Sequence, residues 1–478
     1  MKKSKVCLIV PNYNWAANDS RILWHIIPYN LCLLAAILEP DYDVVIIDAY
    51  AENLTENQFK EKILQINPDV VGLTVLMDQF AAAGHKSASV LKKALPEIPV
   101  ILGGVYATVN PDRAIADENF DYIVCGEGEI AFTGLIKHLL SDFPIPEKGI
   151  LYRKNGTVID TGRADFIQNL DDFPLPAYHL IDYAKYAHSA PRKSVDGPRA
   201  FPFARIITSR GCPINCCFCQ VKKIMGLKFR PRSANSVLDE IMWLKETYGI
   251  KSLIFDDDNL FTDRQRGIDI LQGMIDRDLV MPWTSIATAV FKLDEELIDL
   301  IHRSGCEFMS ISIESGTKRV IKEIIGKPIN YDHAKKMVNL ARSKGIYISA
   351  AFIVGFPTET WDEIRATISF AEELNTDYTK LFSAVPLRHT KLWDLCVEHN
   401  SFKKDFSPEN LSWHSGQIEG DEFTINDLTI LRTYEWDRIN FKTPEKIKRT
   451  AAMMKVTEEE LLKIRRNTLL SAHANIQN

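Results

Sequence analysis

Four of the nine cysteines fall within eight residues, in the run RGCPINCCFCQ from Arg210 to Gln220. Cys212, Cys216 and Cys219 stand in the spacing Cys-x3-Cys-x2-Cys directly after a predicted strand. Three thiolates on one short loop can hold three corners of a cubic four-iron, four-sulfur cluster and leave the fourth iron without a protein ligand. That open iron is the chemically important feature, because it is free to bind another molecule. A tetrahedral zinc site is the competing reading, but it calls for a fourth Cys or His at a matching spacing, and no second Cys pair is present. Treating the four as merely buried thiols leaves their clustering unexplained. Cys217 could itself serve as a ligand, yet the spacing, with aromatic Phe218 just before Cys219, fits better with Cys217 as a bystander.

Such a loop needs a scaffold, and the sequence around it alternates short apolar runs with helix-like stretches. From Ala204 the predicted strands are Arg205 to Thr208, Ser252 to Phe255, Trp283 to Ala287, Phe308 to Ile313, Ile348 to Val354 and Lys380 to Val385. Six such units fit a partial (β/α)6 barrel of the TIM type, whose chemistry sits at the carboxyl ends of its strands. An earlier series runs to about residue 140, with strands at Val6 to Val10, Val44 to Ile47, Val70 to Thr74, Val100 to Leu102 and Tyr122 to Val124. Helix-like segments such as Leu31 to Leu38 and Ser87 to Leu95 separate them, the pattern of an α/β, doubly wound (Rossmann-like) parallel sheet. Ligands bind such sheets at the carboxyl ends of the strands. Three turns there are rich in small residues: Thr74-Val75-Leu76, Gly103-Gly104-Val105 running on to Thr108, and Gly126-Glu127-Gly128-Glu129. Glycine lets backbone approach a large flat ligand. Residues 141–200, dense in Pro, Asp and Gly, read as an irregular linker, and after about residue 400 the pattern turns polar and helical. The expected division is therefore 1–140, 141–200, 201–400 and 401–478, with no internal repeat.

At 478 residues the chain exceeds one ordinary core, and two or three domains are expected. Hydrophobic residues make up 46% and charged residues 25%, the balance of a globular protein. A net charge of −6 gives no general attraction to nucleic acid or to acidic membranes. The opening MKKSKVCLIVPNYN has an apolar run too short for a signal peptide, and no stretch approaches the roughly 20 apolar residues of a spanning helix. A cytoplasmic location is expected, where cysteines stay reduced and their clustering points to metal.

The strand and its cysteine loop resemble the signature of the radical SAM superfamily. The resemblance implies that the open iron chelates S-adenosylmethionine, and that an electron from the cluster, delivered by a donor such as flavodoxin or ferredoxin, cleaves it to a 5'-deoxyadenosyl radical. It places Phe218 near the adenine. FDDDNLF at 255–261, ISIESG at 311–316 and AAFIVGFPTET at 350–360 match family segments at the ends of the second, fourth and fifth strands. Glu314 and Ser315 are thereby candidate contacts to the ribose or amino acid part of S-adenosylmethionine, with Asp257 a further candidate. A helix-capping carboxylate is the plainer reading of Glu314. Two segments depart from the family pattern: Pro386-Leu387-Arg388-His389-Thr390 replaces a Pro-Gly-Thr triplet, and MPWTSIATAV lacks an arginine.

The first 140 residues resemble the cobalamin-binding domain that precedes the barrel in one large radical SAM class. PYNLCLLAAIL at 28–38, GGVYAT at 103–108 and CGEGEIAF at 125–132 carry that resemblance, although Tyr106 stands where relatives often have His. It makes Thr74, Val75, Leu76, Gly103, Gly104, Val105, Gly126, Glu127 and Gly128 candidate cobalamin contacts. The chain contains no Asp-x-His-x-x-Gly, so cobalamin is expected without a histidine on its lower face, with Val75, Leu76 and Met77 facing the cobalt and His85 or His25 as fallbacks. The implied activity is a methyltransferase that moves a methyl group from methylcobalamin to an unactivated carbon, or phosphorus, of a small molecule. The alternatives are a cobalamin-dependent cyclase or oxidoreductase, and a barrel acting alone beside a binding module.

Overall fold

The computed structural model describes residues 3–15, 26–189 and 195–477. The chain divides into two compact units, the first being Met1–Ser189 with the short stretches Lys223–Met225 and Pro408–Asn410, the second the remainder.

In the first unit β1 (Lys5–Val10), β2 (Asp43–Asp48), β3 (Val70–Thr74), β4 (Val100–Gly103) and β5 (Tyr122–Val124) run parallel in the order β2-β1-β3-β4-β5. Helices cover both faces, which is why these strands are near-continuous runs of Val, Ile and Leu rather than alternating ones. The order reverses direction between β1 and β3, the switch point beside which such sheets open a ligand crevice. The expected irregular linker needs correction here. Residues 150–160 form a hairpin, β6 (Ile150–Lys154) and β7 (Thr157–Asp160), which pairs antiparallel on the β5 edge. Its turn is Asn155-Gly156, with φ of 51° and 79°. Asn-Gly between short apolar stretches is a strong hairpin signal, outweighed in the sequence reading by the Pro and Asp content around it.

In the second unit β8 (Phe203–Ile206), β9 (Ser252–Phe255), β10 (Trp283–Thr288), β11 (Cys306–Glu314), β12 (Tyr347–Val354) and β13 (Tyr378–Ser383) form a parallel six-stranded sheet in sequential order. Helices Ala234–Tyr248, Arg264–Asp276, Glu295–Arg303, Tyr331–Ser343 and Trp361–Leu374 fall between the strands. Each begins at a side chain that caps a free backbone N–H: Ser233, Asp263, Asp294, Asn330 and Thr360. Three further helices, Ile425–Phe441, Pro444–Met454 and Glu458–Gln477, follow.

The first of these covers the edge strand β13. Buried Asn440 accepts from Thr379 N at 2.7 Å and donates to Thr379 O at 2.9 Å, standing in for the missing neighbouring strand. Asn440→Leu would leave both backbone groups buried and unpaired. We expect it to lower stability by about 2 to 5 kcal/mol, read as a lower urea midpoint at unchanged slope.

Candidate active site

The cysteine loop leaves the carboxyl end of β8 and is closed at its base by a short antiparallel pairing of Ser209–Arg210 with Arg230–Pro231. Cys212, Cys216 and Cys219 are half-buried, whereas Cys217 is fully buried. The Cys217 N–H donates to Ile325 O at 2.9 Å and its carbonyl accepts from Leu392 N at 2.8 Å. Its thiol lies in an apolar seat with Ile321, Ile324, Phe356 and Leu392, while Cys216 and Phe218 stand at the edge of that seat. Burial pushes the Cys216 thiol up to about 12 and that of Cys219 to about 11. Iron binding would drive off both protons. Among the described residues no three His, Cys, Asp or Glu side chains converge on one ion-sized point. Three thiols on one loop are the donor set that a cubic cluster takes, one at each of three irons.

One residue that no motif marks, Lys327, stands beside the loop. Lys327 Nζ donates to Glu314 Oε1 and to Ser312 O, each at 2.8 Å, with both ionic side chains almost wholly buried. The stretch carrying Lys327 is pinned to the cysteine loop by the bond from Cys217 to Ile325 O, and the charge of Lys327 acts on Cys216. Glu314 has a φ of 75°, a left-handed conformation that costs a glutamate energy and is held here by its buried partner. Glu314 pairs with a lysine instead of capping a helix. In the sequence only Gly326, which takes a φ of 80°, marks the turn that delivers Lys327.

Ser315 and Asp257 turn inward. The Ser315 hydroxyl lies 3.0 Å from that of Thr367 and ties the end of β11 to the helix Trp361–Leu374. Asp257 Oδ1 accepts from Thr208 Oγ1 at 2.8 Å and from Ser209 Oγ, so it braces the entry to the cysteine loop. Both side chains thus hold the strand ends that carry the site. Next to Asp257, half-buried Asp258 has no hydrogen-bond or ion-pair partner among the described residues and lies near enough to Cys212 and Cys219 to act on their charge. Burial, reinforced by Asp257, pushes its carboxyl up to about 6. Asn259, 3% exposed, leaves both its amide atoms without a bond. A buried amide without partners is costly, and a polar ligand at the end of β9 would satisfy it.

After β12 the segment Gly355 to Glu359 folds back under the same seat, with the rings of Phe218 and Phe356 6.3 Å apart. Glu359 Oε2 accepts from Gly355 N at 2.7 Å and from Phe356 N at 3.0 Å, while Oε1 has no partner. Burial pushes this carboxyl up to about 8 in spite of those two bonds. A raised acid pKa favours the fold while the group is protonated. That contribution is whole below the ordinary glutamate pKa and is lost as pH rises toward 8. We expect stability to fall by a few kcal/mol between about pH 5 and 8, and Glu359→Gln to flatten the slope in parallel urea titrations.

Past β13, Arg388 lies over the Trp393 ring at 5.1 Å and His389 is exposed. This segment serves the loop through its backbone, Arg388 O accepting from Gln220 Nε2 at 2.9 Å.

In the first unit the three small-residue turns form one bonded ledge. Val75 N donates to Gly103 O and Tyr106 N to Val75 O, both at 3.1 Å. Thr108 Oγ1 donates to Gly104 O at 2.9 Å and accepts from Gly126 N at 3.0 Å. At Gly104, where φ is 93°, a Cβ would stand 2.6 Å from Val75 O and 2.8 Å from Thr74 Oγ1, so this glycine serves the approach of the two turns. Gly103 is open, its Cβ position meeting nothing nearer than 3.9 Å. Val105, Gly126, Glu127 and Gly128 are half-buried, and Glu127 Oε2 accepts from Ile167 N at 2.7 Å. Val75 is fully buried and packs in the core, while Leu76 is 37% exposed. His85 engages both ring nitrogens, with Asp117 Oδ2 at 2.6 Å and Tyr106 Oη at 3.0 Å, and His25 lies outside the described residues.

A family model described as the radical SAM superfamily matches residues 206–371, and one described as the B12 binding domain matches residues 23–136. An uncharacterized methyltransferase of Pyrococcus horikoshii is 33% identical over 377 residues, 78% of this chain and 79% of the relative. Cytidylyl-2-hydroxyethylphosphonate methyltransferase of Streptomyces wedmorensis is 28% identical over 476 residues, 88% of each chain. The anaerobic magnesium-protoporphyrin IX monomethyl ester cyclase of Rubrivivax gelatinosus is 28% identical over 383 residues, 78% of this chain and 66% of the relative. Among solved structures, the cobalamin-dependent S-adenosylmethionine radical enzyme OxsB with aqua-cobalamin and S-adenosylmethionine bound superposes with a TM-score of 0.74 at 17% identity, over 98% of this chain and 72% of that one. The radical S-adenosylmethionine methyltransferase TsrM from Kitasatospora setae, with cobalamin and a [4Fe-4S] cluster bound, gives 0.64 at 19% identity over 80% and 72%.

Proposed function

The chain belongs to the radical SAM superfamily, in the branch with a B12-binding domain, and from that premise we propose that it methylates an unactivated carbon, or a phosphorus, of a small molecule. Its cofactors are a four-iron, four-sulfur cluster, S-adenosylmethionine and cobalamin, which when bound supply a carbon-centred radical and a transferable methyl group. Unactivated C–H bonds are beyond any side-chain base, which leaves the protein to bind, orient and shield.

In this reading Cys212, Cys216 and Cys219 hold the cluster, and Cys217 seats their loop against the core. Glu314, Lys327 and Asp258 present charge to the amino acid end of S-adenosylmethionine, and Phe218 offers an aromatic edge to its adenine. Asp257, Ser315 and Glu359 hold the strand ends in place. The ledge of Thr74, Gly103, Gly104, Val105, Gly126, Glu127 and Gly128, with Leu76 standing out from it, is the seat for cobalamin. An electron donor of the flavodoxin or ferredoxin kind reduces the cluster.

The observation that carries methyl transfer is that relatives named as methyltransferases align along 78% and 88% of this chain. The cyclase relative favours a second reading, ring closure with the same cofactors. Anaerobically reconstituted enzyme given S-adenosylmethionine labelled in its methyl group, a reductant and a pool of small metabolites should yield a product heavier by one labelled methyl. Label absent from every product, with 5'-deoxyadenosine still accumulating, would overturn methyl transfer.

A further inference from the structure

Arg432 lies on the helix Ile425–Phe441 with 4% of its surface exposed. Its Nε donates to Leu381 O at 2.9 Å and its Nη2 to His414 Nδ1 at 2.7 Å, which leaves Nη1 without a hydrogen bond among the described residues. Among the described residues no carboxylate pairs with it. Arg205, Arg232 and Arg465 of this unit each have one, while buried Arg199 is, like Arg432, without one and bonds to the carbonyls of Met453 and Val195. Burial draws the Arg432 guanidinium down to about 10, so it stays charged at neutral pH. A buried cation with only neutral partners is expensive, and pairing with a carbonyl of the edge strand could be done by an uncharged side chain.

His414, by contrast, is exposed, although the protein around it and the Arg432 charge push its imidazole down to about 4. Because its Nδ1 accepts from Arg432, the hydrogen of the neutral ring sits on Nε2, a second donor. Phe382 of β13 flanks it with ring centres 6.0 Å apart. Two residues on, Ala384 packs into the apolar seat of Cys217 that has Cys216 and Phe218 at its edge. The pair therefore stands at the carboxyl end of the sixth strand, on the side of the cysteine loop.

We propose that Arg432, held in orientation by His414, forms an oxyanion subsite that takes a carboxylate, phosphate or phosphonate group of the substrate. This rests on the reading of the chain as an enzyme acting on a small molecule at the mouth of the barrel. A guanidinium held at one edge presents its remaining N–H groups in a fixed fork, matched to two oxygens of such an anion, and His414 keeps that fork in orientation.

Nuclear magnetic resonance titrations of full-length reconstituted protein with methylphosphonate and with acetate test this, and whichever anion binds distinguishes the two chemistries. Saturable binding to the wild type should weaken about tenfold or more in Arg432→Gln and by less in His414→Phe. Equal affinity in wild type and R432Q, or no saturable binding of either anion to the wild type, would overturn the subsite. Should R432Q not fold, H414F carries the test, since that ring is exposed, and unchanged affinity there overturns the proposal too. Binding is read without turnover, so failure of methyl transfer and failure of this subsite are separately visible.

Discussion

Replacing Cys212, Cys216 or Cys219 with alanine abolishes the iron–sulfur cluster and all cleavage of S-adenosylmethionine, whereas Cys217→Ala keeps both: this is the expected result with the largest contrast between neighbouring residues. A cubic cluster held by three thiolates has no spare ligand, so loss of one leaves two irons unliganded, counting the one already open. Cys217 is excluded by its backbone. Its N–H and carbonyl are both bonded, to Ile325 and Leu392, and its thiol is enclosed among Ile321, Ile324 and Phe356. Turning it outward would break those contacts and bury a neighbour in its place. Alanine at 217 removes one sulfur from an apolar seat, a loss of about 1 to 2 kcal/mol by comparison with small core truncations. Iron and sulfide content of the four anaerobically reconstituted variants decides the matter. Loss of the cluster in C217A with its retention in C216A would reverse the ligand assignment.

The strands of both sheets were legible because parallel strands buried on both faces are written as short apolar runs, and their caps and turns are local signals. The Asn155-Gly156 hairpin is equally local, but its signal sits among Pro and Asp residues that read as irregular chain. The site was legible only as far as spacing along the chain reaches. Three consecutive aspartates close β9, and no pattern of residue types tells which one faces inward; Thr208 and Ser209, almost fifty residues earlier, claim Asp257 and leave Asp258 free of any such bond. Ser315 is claimed by Thr367 in the same way. Lys327 escaped notice because its partner Glu314 is brought to it by the turn after β11, not by a repeat. Arg432 and His414 lie beyond the residues matched by either family model, on elements whose composition says only that they are helical or irregular. In each case the missing information is which neighbour satisfies a polar group, a property of the folded chain.

Turnover is expected to release S-adenosylhomocysteine and 5'-deoxyadenosine in near-equal amounts, and to do so only when cobalamin is bound. On the proposed methyl transfer, each methylation would consume one S-adenosylmethionine as the methyl source and a second as the source of the radical, for a ratio of the two products of about one. On the proposed reading the second molecule would be held at the cysteine loop, where Lys327, Glu314 and Asp258 gather charge at the ends of β9 and β11. Cobalamin needs a seat of a different kind, and the open Gly103 position and exposed Leu76 offer a broad flat ligand room, with His85 already bonded at both nitrogens. A cyclase would give 5'-deoxyadenosine with no matching S-adenosylhomocysteine. A barrel acting alone would give the same output with or without cobalamin. Chromatographic quantitation of both nucleosides, with cobalamin supplied or withheld during reconstitution, therefore separates the three readings. Deoxyadenosine formed in large excess over S-adenosylhomocysteine in the presence of substrate would count against methyl transfer, and indifference to cobalamin would remove the first unit from the chemistry altogether.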